Sequence, residues 1–207
     1  MTEWHGPRYW RNQSKDERTR RAEIPSSMEH SRIHNYSGDA SGVVSWLEDF
    51  DKHRESGTGL LFSGKHGSGK SHLAVAALRA AIRSYRQTGR YISANDYVRA
   101  MDDERKNDGV LPDGYEEGNL IPYLRSVYDV VVLDDVDTIR QTGFAKREIT
   151  DLFTSRTSRK LVTIVVCHDT IENIKDHVTL KFHAEVRAAC IPVTLHTEDY
   201  RSAASGT

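Results

Sequence analysis

Apolar positions follow two different periods along the chain. Val43, Trp46, Leu47 and Phe50 stand at i, i+3, i+4 and i+7, which places four large side chains on one helical face. The spacing predicts a packed helix that stops before Gly57-Thr58-Gly59. Beyond that point short apolar runs take over: Leu60 to Ser63, Tyr91 to Ser93, Val130 to Leu133, Leu161 to Cys167 and Ile191 to Leu195. Val130-Val131-Val132-Leu133 does not alternate with polar residues, as a strand with one wet face would. These runs predict a mostly parallel five-stranded sheet buried on both sides, with helices such as Leu73 to Ile82 packed against it. The fold class is therefore α/β with three layers. Asp108 to Asn119, rich in Gly, Asp and Glu and containing Pro112, predicts an exposed loop. Residues before about Arg21 show no sustained period and are read as an arm ahead of the domain.

At 207 residues the chain fits one domain with a core large enough for independent stability. No apolar run reaches the length of a membrane span or a secretory signal, so a soluble, cytoplasmic protein is expected. The two cysteines, Cys167 and Cys190, lie in or beside strand-like runs and are read as core. The ten histidines lack paired metal-ligand spacing. A net charge of −1 gives no global attraction for nucleic acid, so any such contact must be local. Arg8, Arg11, Lys15, Arg18, Arg20 and Arg21 are interleaved with Trp4, Tyr9 and Trp10, a mixture suited to phosphate contact and base stacking, or to a solvated tail. Arg79, Arg83, Arg86 and Arg90 form a stripe if the helix continues through them; it reads first as a solvated face, second as a track for a nucleic-acid backbone.

The chemistry begins at Gly64-Lys65-His66-Gly67-Ser68-Gly69-Lys70-Ser71, which fits G-x-x-x-x-G-K-[ST] between a predicted strand and a predicted helix. Glycines let backbone N–H groups wrap phosphates, and the helix N-terminus adds its positive end. Lys70 supplies charge to the β- and γ-phosphates, and the Ser71 hydroxyl ligates Mg²⁺. The expected cofactors are ATP and Mg²⁺. The strand Val130 to Leu133 runs into Asp134-Asp135. Asp134 is expected to hold the metal through water, and Asp135 to orient or deprotonate the water that attacks the γ-phosphate.

The stretch from Gly64 through His72-Leu73-Ala74-Val75-Ala76, followed by Asp134-Asp135 and a final Asp199-Tyr200-Arg201, resembles the AAA+ helicase loaders of the DnaC type and their IstB relatives. The resemblance spans roughly Ile24 to Arg201, and His72 after the loop carries part of it. It implies an AAA+ core over residues 24–201, preceded by a basic and aromatic arm at 1–23 and followed by a tail at 202–207. It also implies ATP hydrolysis, a replicative hexameric helicase and single-stranded DNA as partners, and an ATP-dependent homo-oligomer. Because the sequence given ends soon after the last predicted strand, no C-terminal lid domain is expected. The family places a polar sensor at the end of the fourth strand, here Asp169 first and His168 second, and an arginine acting on a neighbour's site. Arg187 is the nearest candidate for that arginine, with Arg156 and Arg159 as alternatives. Other readings are an IstB-like transposition helper on duplex DNA, a nucleotide-gated adaptor with little turnover, and a P-loop kinase. The sequence offers that last reading neither an arginine-rich lid nor an acceptor pocket.

Overall fold

The computed structural model describes residues 7–106 and 120–195. Five strands, β1 (Gly59–Gly64), β2 (Gly89–Ser93), β3 (Val130–Asp134), β4 (Val162–Val166) and β5 (Cys190–Leu195), form one sheet in the order β2-β3-β4-β1-β5. Every pairing is parallel, so the expected sheet is present in wholly parallel form. Parallel neighbours need crossovers long enough for a helix, and the helical stretches between the apolar runs supply them.

Successive strand residues face opposite layers. Leu60, Phe62, Val130, Val132 and Ile164 pack against α3 (Ser41–Glu48), α4 (Phe50–Ser56) and α5 (Lys70–Ser84). Leu61, Val131, Leu133 and Val165 pack on the other face, against α6 (Ala94–Lys106), α7 (Leu120–Ser126), α8 (Gly143–Thr157) and α9 (Leu180–Ala189). Burial on both faces is why the runs carry no polar alternation. Cys167 and Cys190 are buried free thiols, as expected, and burial pushes both pKa values up to about 12.

The helix predicted from the Val43 to Phe50 stripe is two helices. Asp49, at φ −98° and ψ 19°, breaks the chain between α3 and α4, yet all four stripe residues remain buried. The stop at Gly57 is where the spacing placed it, in a left-handed C-cap at φ +78°.

The N-terminal segment departs from the expectation of an arm without regular structure. It forms α1 (Pro7–Asn12) and α2 (Lys15–Arg20), both docked on the domain. Six-residue helices are too short to show a period, although Ser14 and Glu17 sit at cap spacing and Ser14 Oγ does accept the Glu17 N–H at 3.1 Å. Trp10 is buried, edge-on to Tyr123 at 5.0 Å and 5.6 Å from Tyr128, with the Arg21 guanidinium 5.4 Å from its ring centre. Arg11 pairs with Asp129, and buried Arg18 donates to the Gln13 and Ile82 carbonyls.

The arginine stripe is divided, with Arg79 and Arg90 buried and Arg83 and Arg86 exposed. The helix ends at Ser84, Arg83 pairs with Asp16, Arg79 is buried, and buried Arg90 reaches Glu23 and the Arg21 carbonyl. Arg90 anchors the N-terminal segment to β2 and Arg83 meets it at the surface, while Arg86 is exposed, so the four residues share no single face. Among the described residues no helix is long and apolar enough to cross a membrane. The predicted loop at 108–119, the Asp199-Tyr200-Arg201 motif, Trp4 and the tail at 202–207 lie outside the described residues.

Candidate functional site

The loop between β1 and α5 turns on two left-handed glycines, Gly67 at φ +77° and Gly69 at φ +84°. A side chain would be strained at either position. At Gly69 it would also strike Tyr36, whose ring lies 2.5 Å from where a Cβ would stand. Tyr36 closes on the loop because its hydroxyl donates to the Ser68 carbonyl at 2.9 Å. His72, in the first turn of α5, donates from Nε2 to the Arg32 carbonyl at 2.9 Å and packs 5.8 Å from the Tyr36 ring. Residues 32–36 therefore form a strap across the loop, and His72 turns toward this strap.

Lys70 is 3% exposed and lies beneath the loop, its Nζ donating to the Gly64 and Lys65 carbonyls at 2.8 and 2.7 Å. Burial lowers its pKa, against the pull of Cys167, Asp137, Asp134 and Asp135. A cation in this position is well placed to exchange loop carbonyls for an incoming anion, with the N-terminus of α5 behind it.

At the end of β3, Asp134 is 2% exposed. Its Oδ2 accepts the Tyr91 hydroxyl at 2.7 Å, its Oδ1 accepts the Asp135 N–H at 2.9 Å, and Ser71 is a further donor. Desolvation raises the Asp134 pKa, and the neighbouring Asp135 charge raises it further. Ser71 and Asp134 thus bring two hard oxygen donors together across the site, a set that fits Mg²⁺ and supplies a reason to bury this carboxylate.

Asp135 adopts a left-handed backbone at φ +59°. Its Oδ1 lies 2.7 Å from His168 Nε2, and the His168 ring stands 4.0 Å from that of His66 in the loop. A cavity of about 410 Å³ opens here, bounded by His66, Gly67, Gly69, Lys70, Ser71, His72, Asp135 and His168 on one side and by residues of the 27–37 segment on the other.

The first choice of sensor, Asp169, is not on this cavity. Its carboxylate accepts the Thr170 N–H at 2.7 Å and Asn173 Nδ2 at 3.0 Å, and those bonds hold its pKa low. His168, the second choice, lines the cavity instead. The difference is local: once β4 ends, one residue of displacement turns a side chain from the cavity to the cap of the following turn. Asp137 was missed in the sequence, where it reads as one acidic loop residue among several. It is buried, and its Oδ2 accepts both the His168 and the Asp169 N–H, at 2.7 and 2.9 Å. Tyr91 was also missed, because its partnership with Asp134 exists only through the pairing of β2 with β3.

The candidate arginines separate by burial. Arg156 is entirely buried and donates to the carbonyls of Leu124, Tyr128 and Val162 and to Thr163 Oγ1, its pKa pushed down to about 9 by burial. It is a structural strut and cannot reach a neighbouring molecule. Arg159 folds back onto Ser155. Arg187 is exposed on α9 and does not line the cavity.

No family model matches the chain. The replicative helicase loader DnaC of Escherichia coli strain K12 is 26% identical over 162 residues, 78% of this chain and 62% of that protein. The chain therefore spans less than two thirds of the length of the curated relative. The crystal structure of the DnaC helicase loader matches with a TM-score of 0.72 at 17% identity, over 83% of this chain and 99% of that one. The replication initiator DnaA bound to AMPPCP and single-stranded DNA matches with a TM-score of 0.66 at 20% identity, over 82% and 51%. The fold is that of an AAA+ P-loop domain, and in sequence and structure the chain is similar to the replicative helicase loaders of the DnaC type.

Proposed function

We propose that this protein binds and hydrolyses ATP with Mg²⁺ and uses the nucleotide state to load a replicative hexameric helicase onto single-stranded DNA in the cytoplasm. The observation that carries the nucleotide reading is Lys70, buried beneath a glycine-turned loop with its Nζ on two loop carbonyls and the cavity opening above it. The loop from Gly64 to Ser71 and His72 hold the triphosphate, and Ser71 and Asp134 hold the metal, which neutralises developing phosphate charge when bound. Asp135 takes the proton of the attacking water, His168 stands beside it, and Arg187 is offered to the site of a neighbouring copy in a nucleotide-dependent homo-oligomer. Similarity to DnaC supports the choice of a helicase as partner over a transposase or a small phosphoryl acceptor.

For single-stranded DNA, the N-terminal aromatics and cations are a poor surface, since Trp10, Arg11 and Arg18 are engaged in packing. A cleft of about 480 Å³ between α6 and the start of α8 suits it better. There Arg105 lies 5.0 Å over the Phe144 ring, and Arg99, Arg105 and Lys106 hold only exposed pairs with Asp96 and Asp102, which phosphate can displace, while Arg140 lines the same cleft.

Calorimetry with Mg²⁺ and ATP, followed by pull-down of a hexameric helicase with and without ATP, tests both halves. Lys70→Ala is expected to weaken ATP by at least about 100-fold, the loss of charge-assisted bonds to phosphate. Unchanged affinity in that variant ends the nucleotide reading. Helicase capture indifferent to nucleotide ends the loader reading alone.

A further inference from the structure

The geometry points to Tyr91 as a positioning residue for the metal-binding carboxylate, an inference that rests on the assignment of Asp134 to Mg²⁺. Tyr91 lies on β2 opposite Val132, with Ser93 opposite Asp134. Tyr91 is thus the diagonal neighbour of Asp134 on the same face, a separation that an aromatic side chain spans. Its hydroxyl donates to Asp134 Oδ2 at 2.7 Å, while Oδ1 is taken by the Asp135 N–H. With each oxygen held from a different direction, the carboxylate has one rotamer and presents a defined edge toward Ser71.

The chemistry of the pair favours this arrangement in both directions. Asp134 is 2% exposed beside a second carboxylate, so its charged form needs donors. A phenol is a neutral hydrogen-bond donor at physiological pH, and here it is aimed at Asp134 Oδ2. Few other side chains could reach from β2 without adding a charge of their own next to the metal.

The strand bearing Tyr91 is fixed on its outer edge. The Tyr91 N–H donates to the Ala22 carbonyl at 2.8 Å, and Arg90 grips Glu23 and the Arg21 carbonyl. The docked N-terminal segment thus holds the backbone from which the phenol reaches the site. Tyr91 therefore tunes metal affinity without touching the nucleotide, for it is absent from the cavity wall.

The test is Tyr91→Phe, which removes one oxygen and keeps the ring. Calorimetry of ATP binding is carried out across a Mg²⁺ series and again in excess chelator, on wild type and variant, with a thermal melt of each. The expected result is a rise of about tenfold in the Mg²⁺ concentration needed for half-maximal enhancement of binding, with metal-free ATP affinity unchanged within twofold. An unchanged Mg²⁺ requirement overturns the inference. Equal losses of metal-free and Mg²⁺-dependent affinity, with a lowered melt, mean that the phenol only supports the fold, and overturn it as well. Failure of wild type to bind ATP with or without Mg²⁺ defeats the nucleotide reading itself, a result readily told apart from the other two.

Discussion

The contact between His168 and Asp135 gives a sharp test of how the site works. Nε2 and Oδ1 are 2.7 Å apart, and the side chains are 22% and 39% exposed. The pair therefore lies between an exposed ion pair, worth a few tenths of a kcal/mol, and a buried charged hydrogen bond, worth about 2 kcal/mol. A coupling on the order of 1 kcal/mol follows, equivalent to roughly a fivefold change in an equilibrium or rate. If His168 acts by aiming the Asp135 carboxylate, His168→Ala lowers the single-turnover rate of ATP hydrolysis about fivefold to tenfold. ATP affinity should move much less, by no more than about threefold, because the remaining contact is one ring packed against His66.

A double-mutant cycle separates this role from general damage. Asp135→Asn alone should retain ATP and lose hydrolysis. Adding His168→Ala to that variant should cost nothing further, since the histidine then has no carboxylate to aim. His168→Gln, whose amide nitrogen reaches about as far as Nε2, should recover most of the wild-type rate. The reasoning is refuted if His168→Ala slows residual hydrolysis equally in both backgrounds. It is refuted in the opposite sense if His168→Ala speeds hydrolysis, which would make the pair a latch on Asp135.

Two further measurements address the fold beneath the site. Trp10→Ala should destabilise the domain by about 3 kcal/mol in urea unfolding, as for a buried aromatic in a core, whereas a change below about 0.5 kcal/mol would mean that α1 is not docked as described. Cys190, whose thiol is raised to about 12 from 9.0, makes stability pH-dependent. The unfolded chain ionises first, so the contribution is complete below pH 9 and is lost as pH rises toward 12. Between pH 8 and pH 10 wild type should lose roughly 1 kcal/mol more than Cys190→Ala, and equal losses would place this thiol in contact with water.

What was legible in the sequence depended on whether the signal was local. The glycine-rich loop, its flanking strand and helix, the five apolar runs and the stop at Gly57 are written in contiguous residues, and each stands where the spacing put it. The α3–α4 break was not, because Asp49 interrupts the backbone without disturbing the apolar stripe that announces a helix. The N-terminal helices were not, since their stability comes from Trp10 meeting Tyr123 and Tyr128, more than a hundred positions away. For the same reason the arginines of α5 and β2 could not be distinguished from a surface stripe until Asp16 and Glu23 were seen to meet them. Which of the two adjacent sensor candidates faces the cavity was not legible either, since the direction of a side chain past a strand end depends on how Asp137 grips two successive N–H groups.

The strand order explains why the two flanking residues should have different effects. Lys70 and the loop follow β1, and the acidic pair ends β3, with β4 running between them. A residue just past the end of β4 must stand between loop and carboxylates, and His168 accordingly meets His66 on one side and Asp135 on the other. β2 lies on the far side of β3, so a residue reaching from it meets the acidic pair without access to the loop, as Tyr91 does. On the proposed roles, a substitution at 168 therefore acts mainly through Asp135 and only weakly on the loop through His66, and one at 91 acts through Asp134 alone. The contrast follows from topology: any side chain of sufficient reach at these positions would inherit the same division, and chemistry decides only how strong each effect is.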